Sequence, residues 1–495
     1  MRPFPAVLLV SLAFLASVVF SGCGSTESEE SDIPITTSSS AARASFLEGR
    51  DAFDVGRLDD AAVHFDKAIA SDSTFALACY YRTRTATSSA DWRHYADLAE
   101  RHASSASKGE QLLIAMLRAE TQSDLPESTA LARSLKNRYP RSPRALVEYA
   151  AMLAANKNTY EERALLEQAI DLNGLFAPAL RALATSYLFE DPRNLHEAER
   201  YALTYVLRYP EVADSHILLG DVYRADMHLE EARGEYTRAM TVDNNSYIAY
   251  VKRGHALTFI GLYRDARKDF ARATELGTGP AKARAANYRT FTWIYAGQLE
   301  DALHENEALL NSLPLLGYDE SVDFLPYMNT TLNRFLMCTE ARAFDQAEAA
   351  LVRYRSYARA IAQQINTPNY QRTTESEIAL LEGRLALQRG DYVAAMGHTD
   401  RSLDFLRDIR SARKKENTEL LIGTILLAQK DFVHALEHFD EANPDLIQVK
   451  FYRALALEHL GRVSDAQELF REVGNWDFND IEYALIRNKA ISMIH

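Results

Sequence analysis

The chain has 495 residues, 47% hydrophobic and 25% charged, the mix of a globular protein long enough for several domains or one long repeat array. Its 55 Lys and Arg face 69 Asp and Glu, a formal net charge of −14, which argues against the basic surface a nucleic-acid binder needs. With 14 Pro, 20 Gly and three Cys, the composition excludes a collagen-like or largely disordered chain and a disulfide framework.

Residues 1–23 read as a targeting peptide. Arg2 supplies the positive start, and residues 7–20 are apolar apart from Ser11 and Ser17. That run is shorter than the roughly 20 apolar residues a spanning helix takes. It closes on Phe20-Ser21-Gly22-Cys23, which resembles the signal of bacterial lipoproteins, with Phe20 where that family usually has a small aliphatic residue. The resemblance implies diacylglycerol on Cys23, cleavage before it and acylation of the new N-terminus. It also implies a cell-envelope location, in the outer membrane because Gly24 replaces the Asp that favours inner-membrane retention. Which side of that membrane the chain faces stays open. Several acyl chains make a stable anchor. Residues 24–40, GSTESEESDIPITTSSS, are expected to be a flexible polar tether.

From residue 41 onward no strand-like alternation appears. Apolar residues recur at helical spacing between Gly, Asp, Asn and Pro breaks, which predicts an all-α chain. Gly220 and Gly254 share one period with Ala232 and Ala266, with Tyr236 and Phe270, and with Ala239 and Ala273. Gly49, Gly56, Ala61, Phe65 and Ala68 repeat the pattern near the start, and Gly423, Ala435, Phe439 and Ala442 near the end. These positions resemble the tetratricopeptide repeat (TPR). The resemblance implies an α-α superhelix of about a dozen antiparallel helix pairs, in which small residues let two helices approach and the aromatic fills the space between pairs. One pair cannot bury its apolar face alone, so pairs stack.

The period does not hold in the second half. The steps from Ala302 to Ala347 and from Ala347 to Ala395 are longer, and the step from Ala435 to Ala466 is shorter. Insertions are expected near 312–330 and 364–376, with a longer helix around 400–416. The expected division is an N-terminal array over 41–312 and a C-terminal array over 318–495. Residues 480–494 place Ile481, Ala484, Leu485, Asn488 and Ile491 on one helical face, which predicts a capping helix sealing the exposed end. The signal, the divergent array and the ending Tyr483-Ala484-Leu485-Ile486-Arg487-Asn488-Lys489-Ala490 together resemble a group of bacterial TPR lipoproteins whose molecular function is generally unassigned.

A search for chemistry returns little. No G-x-S-x-G, H-E-x-x-H, Walker A or G-x-G-x-x-G occurs. Ser105-Ala106-Ser107-Lys108 fits S-x-x-K without its companion motifs, so it reads as a Ser-rich turn. His434 and His438 share a helical face at i and i+4, with no third ligand evident, and read as solvated. Arg407, Arg410, Arg413, Lys414 and Lys415 form one basic run, read as a helix end. Cys79 and Cys338 are far apart in sequence and read as two buried thiols.

What remains is a surface. The TPR resemblance implies that the first helix of each pair lines a concave face, and it puts groove positions on Asp221, Arg224, Lys252, His255, Tyr288, Phe291, Tyr295, Arg384, Glu458 and His459. Tyr288, Phe291 and Tyr295 form one stripe at i, i+3 and i+7, which fits either a binding anchor or packing against the next helix. The expectation is a lipid-anchored scaffold that binds a protein or peptide partner outside the cytoplasm through this face, with no catalysis, cofactor, metal or nucleic acid. The alternative is a lipoprotein that captures a glycan or peptide for an outer-membrane importer. The sparse tryptophans, Trp92, Trp293 and Trp476, speak against the Trp-rich loops of such proteins.

Overall fold

The structure, a computed structural model, describes residues 32–494 apart from 87, 123, 410, 412 and 413; the signal segment, Cys23 and the first part of the tether lie outside the described residues. Among the described residues there are 25 α-helices and no strand. They group into two compact units, one running to Phe53 and over Leu58–Phe176, the other over Asp54–Arg57 and from Ala177 on.

The first unit holds α1 (Ser40–Asp54), α2 (Leu58–Ser71), α3 (Ala76–Arg84), α4 (Ser89–His102), α5 (Lys108–Thr121), α6 (Leu125–Arg138), α7 (Pro143–Ala155) and α8 (Thr159–Leu172). The second begins with α9 (Ala177–Phe189), α10 (Leu195–Arg208), α11 (Ala213–Ala225), α12 (Leu229–Val242), α13 (Tyr247–Ile260), α14 (Tyr263–Leu276), α15 (Pro280–Tyr295) and α16 (Leu299–Ser312). It continues with α17 (Phe324–Glu340), α18 (Phe344–Ile365), α19 (Pro368–Arg389), α20 (Tyr392–Leu406), α21 (Glu416–Ala428) and α22 (Phe432–Glu441). It ends with α23 (Ile447–His459), α24 (Val463–Gly474) and α25 (Ile481–Ser492). Short turns join most partners, which makes consecutive helices antiparallel.

The repeat spacing has a direct structural cause. A Cβ added at Gly49, Gly220, Gly254 or Gly423 would lie 2.7, 2.6, 2.7 and 2.5 Å from the ring of Phe65, Tyr236, Phe270 or Phe439, which stands at the same offset on the second helix of each pair. The first helix must therefore carry glycine where the second presents its aromatic. The alanines Ala61, Ala232, Ala266 and Ala435 are fully buried beside those rings. In the turn between the two helices of a pair, Gly56, Gly261 and Gly461 adopt positive φ of 83°, 94° and 76°, which costs glycine little.

In the second unit the odd-numbered helices also touch one another two along, α9 with α11, α11 with α13, α13 with α15, α15 with α17, α19 with α21 and α21 with α23. Among the described residues no pair of even-numbered helices makes a comparable contact. The odd helices therefore form the inner layer of the stack, and their exposed sides the inner face.

Four expectations change. Residues 32–39 are not a free tether. They run in extended form over the first unit, where Ile33 is buried, the Thr36 amide donates to Glu110 (2.8 Å) and the Thr37 hydroxyl donates to Asp72 (2.6 Å). Ile33 and Ile35 give this polar stretch two apolar anchors. Residues 313–316 form a 3₁₀ turn inside the second unit, so the division between units falls at 176/177. The extra residues near 364–376 lengthen helices, giving α18 and α19 22 residues each. Around 400–416 the helix instead ends at Leu406, before a cation-rich run whose like charges at helical spacing disfavour continuation.

Candidate functional site: the inner face of the second unit

The groove positions read from sequence fall on inner helices: Asp221 and Arg224 on α11, Lys252 and His255 on α13, Tyr288, Phe291 and Tyr295 on α15, Arg384 on α19. The structure brings them into one polar network, and most are already engaged. Lys252 reaches Asp221 at 2.9 Å, and the Tyr236 hydroxyl donates to the same carboxylate at 2.7 Å. Arg224, only 4% exposed, bonds the backbone oxygen of Asp477 and lies 3.6 Å from its carboxylate. Asn479 donates to His255 Nδ1 at 3.0 Å and accepts from the Tyr295 hydroxyl at 3.1 Å. Arg384 grips Glu482 through both nitrogens, at 2.5 and 3.0 Å. Asn488 donates to the Tyr295 carbonyl at 2.9 Å, and Lys489 pairs with Glu340 at 2.6 Å.

Asp477, Asn479, Glu482, Asn488 and Lys489 all belong to the chain's own C-terminal segment. The connection 475–480 and α25 lie along the inner face from α11 to α19. The Asp480 side chain starts the helix by accepting from the Tyr483 amide at 2.7 Å. Tyr483, fully buried, sits between Phe259 and Tyr295 with ring centroids 6.1 Å from each. The segment is thus more than an end cap. Tyr483, Ile486 and Ala490 are buried as well as Ile481, Ala484 and Leu485, because α25 is enclosed by α15, α17 and α23 besides α24, while Ile491 is exposed.

This occupation decides the aromatic stripe. Phe291 and Tyr295 are buried in the core, and half-buried Tyr288 meets His255 edge-on at 4.5 Å. They pack against neighbours. Burial first, and then the Arg224 and Lys252 charges, hold the His255 imidazole well below its ordinary pKa, so it is neutral and can accept from Asn479.

Magnitude distinguishes a permanent clasp from a displaceable plug. Ile481, Tyr483, Leu485 and Ile486 are each worth about 1.5–3 kcal/mol of burial, roughly 6–12 kcal/mol together. That rivals the whole stability of a typical domain, about 5–15 kcal/mol. A partner would have to replace that burial with a differential affinity of comparable size to displace the segment, which marks the clasp as part of the fold.

Beyond the clasp the inner face is open. A cleft of about 410 Å³ is walled by Leu332 of α17, Tyr354 of α18, Leu380, Leu381 and Leu387 of α19, Leu420 and Leu421 of α21, and Tyr452 of α23. Arg384 and Glu482 form one end, and Glu377 and Asn417 stand among the apolar walls. Of the groove positions, only Arg384 borders it. Glu458 and His459 lie on α23, where His459 stacks on Phe432 at 4.5 Å. Sequence reasoning misses Glu377, Leu380 and Leu420. Their signal is weak, because α19 is lengthened at its start and shifts the repeat register.

The remaining motifs serve the fold. Ser107 caps α5 in a reciprocal capping box with Glu110. His434 contacts Asp431 in its own turn, and His438 meets Glu419 at 2.7 Å. Lys414 bonds the carbonyls of Arg407 and Ile409, while Arg410 and Arg413 lie outside the described residues. Cys79 and Cys338 are buried free thiols. Among the described residues, no group of three or more His, Cys, Asp and Glu could hold a metal ion, and no helix is long and apolar enough to cross a membrane.

The chain matches no family model and no curated protein. Solved structures similar to it include TPR proteins. A tetratricopeptide repeat protein from Parabacteroides merdae is 12% identical with a TM-score of 0.38, covering 63% of this chain and 98% of that one. YrrB, described as a TPR protein with an unusual peptide-binding site, is 20% identical with a TM-score of 0.30, covering 37% and 94%. The APC/C hetero-tetramer Cut9-Hcn1 is 15% identical with a TM-score of 0.38, covering 84% and 76%.

Proposed function

We propose that this chain is a lipid-anchored tetratricopeptide scaffold that binds a protein or peptide partner outside the cytoplasm, with no chemical step of its own. The observation that supports partner binding is the open cleft beside the clasp. It combines large apolar side chains from successive inner helices with a few polar groups, and its volume falls in the range of ligand sites. The anchor rests on the segment ending in Cys23. Residues 24–31 lie outside the described residues, and docking of 32–39 on the first unit makes the expected tether shorter than 24–40. The array would be held close to the membrane, where anchoring raises the effective concentration of a membrane-borne partner.

Two measurements test the two halves. Cys23→Ala is expected to abolish labelled fatty-acid incorporation and move the protein from the membrane to the soluble fraction; unchanged partition would refute the anchor. Cross-linked capture from membranes, followed by mass spectrometry, is expected to recover a defined protein with the wild type and lose it with Leu420→Arg, which blocks the cleft. Equal recovery by both would refute the cleft as the partner site.

A further inference from the structure

The cleft has a charge asymmetry that specifies its occupant more narrowly. Neighbouring carboxylates on α19 and α21 already have partners: Glu375 pairs with Arg359 at 2.7 Å, Glu382 with Arg355 at 2.8 Å and Arg401 at 2.9 Å, and Glu419 meets the His438 imidazole at 2.7 Å. At the end of the cleft Arg384 satisfies Glu482, and beyond it Lys489 satisfies Glu340. Glu377 is the exception. It lines the cleft among leucines and has no cationic partner among the described residues, and the surrounding walls raise its carboxyl above the ordinary value. A solvent-facing carboxylate beside apolar walls and without a cationic partner is best met by a ligand that brings both a cation and apolar surface.

We infer that the cleft takes an extended polypeptide segment of a partner protein in which a Lys or Arg is flanked by bulky apolar residues, the cation meeting Glu377 and the apolar side chains filling the leucine-lined walls. This deepens the scaffold reading and rests on it. Most of the walls come from successive inner helices, and packed helices lie about 8–10 Å apart. A segment in polyproline-II form rises about 3.1 Å per residue with three residues per turn, so apolar side chains at i and i+3 share one face and reach consecutive rows. The chain's own residues 24–31 are a poor occupant by charge. They carry Glu27, Glu29 and Glu30 and no cation, which would set like charges against Glu377 and Glu482. A second copy is a poor occupant for the same reason, with a net charge of −14.

The test is a display library of short peptides, with Leu or Phe fixed at two places three apart and the rest randomised, panned on the full chain in detergent micelles. Enriched peptides are expected to carry Lys or Arg at one constant offset from the fixed residues. Their affinity, read by fluorescence anisotropy, is expected to fall at least about tenfold with Glu377→Gln, a change at an exposed position that leaves the fold intact. Glu377→Lys is expected to bind the same peptides with Lys changed to Glu better than the originals. Enrichment without a basic residue, equal affinity for Glu377→Gln, no enrichment at all, or equally tight binding of a simple long-chain amine would each overturn the inference. Failure here combined with membrane capture that Leu420→Arg abolishes would leave the scaffold reading standing and remove only the basic-segment assignment.

Discussion

If α25 is a clasp holding the inner face closed, its central side chain should dominate the stability of the second unit. Tyr483 is the test. Its ring is fully buried between Phe259 and Tyr295, and its hydroxyl donates to the Gly474 carbonyl at 3.2 Å. Truncating a buried aromatic to alanine costs about 3–5 kcal/mol, transfer and cavity terms together. Orphaning a buried carbonyl adds about 1 kcal/mol or more. Tyr483→Phe removes only the hydrogen bond and should cost about 1 kcal/mol. In urea unfolding followed by circular dichroism, with a slope of about 3 kcal/mol/M for a unit this large, Tyr483→Ala should lower the midpoint of the second unit's transition by about 1–2 M. The first unit, which has its own core, should keep its midpoint. A loss below about 1 kcal/mol for Tyr483→Ala would show that α25 is a loosely attached cap and would refute the clasp.

Three further outcomes follow from the packing. Gly254→Ala puts a Cβ 2.7 Å from the Phe270 ring and should destabilise by about 1–3 kcal/mol; combining it with Phe270→Leu should recover part of the loss in a double-mutant cycle. His255 is faced by Arg224 and Lys252 as cations, Asp221 across Lys252, and neutral Tyr288 and Asn479. Its folded pKa lies below the ordinary 6.5, so the unfolded chain takes up the proton first. Its contribution is complete above pH 6.5 and is lost as the pH falls below it. His255→Gln should flatten the urea midpoint between about pH 7 and 5 relative to wild type, and parallel curves would contradict this. Ile33→Ala removes a nearly buried anchor of the extended strap and should cost the first unit about 2 kcal/mol. It should also make the 32–39 segment the first site of limited proteolysis, and unchanged cleavage would show the strap to be incidental.

The array is legible in sequence because its constraint is local. A glycine on one helix and an aromatic at the matching place on the next must touch whenever two helices of this length turn back on one another. Gly220 with Tyr236 and Gly254 with Phe270 therefore declare the pair without tertiary knowledge. The clasp is half legible. Asp480 as helix N-cap and the apolar pattern from Ile481 predict α25, but the groove it enters is set by Arg224, far earlier in the chain, and no spacing encodes that meeting. Polar residues at Arg224, His255 and Arg384 look the same in sequence whether a partner or the chain's own tail satisfies them. The 32–39 strap escapes a sequence reading for a related reason. Its composition is that of a linker, and only Ile33 and Ile35 mark it as something that can dock.

The cleft lies where the repeat chemistry lapses. Thr399 stands where the regular pairs would place the aromatic that follows Gly383, and the next small-residue position is Ser402; both are fully buried, and neither fills space as an aromatic ring does. A Cβ on Gly383 would instead meet Leu421 of α21 at 2.8 Å, so the next inner helix supplies the missing volume. The layer behind is sealed by hydroxyls, Ser376 to Ser402 to Thr418, each 2.8 Å apart. Leu421 faces Gly383 and the cleft at once, which couples the irregular repeat to the open surface. Restoring the motif with Thr399→Phe should therefore do more than overpack. The ring would contest the space of Leu421, push it toward the cleft and narrow the site, so peptides selected on the wild type should bind the variant more weakly at unchanged helix content. Unchanged affinity in a folded Thr399→Phe variant would mean that the cleft owes nothing to the lapse, and that the lengthened helices α18 and α19 alone open it.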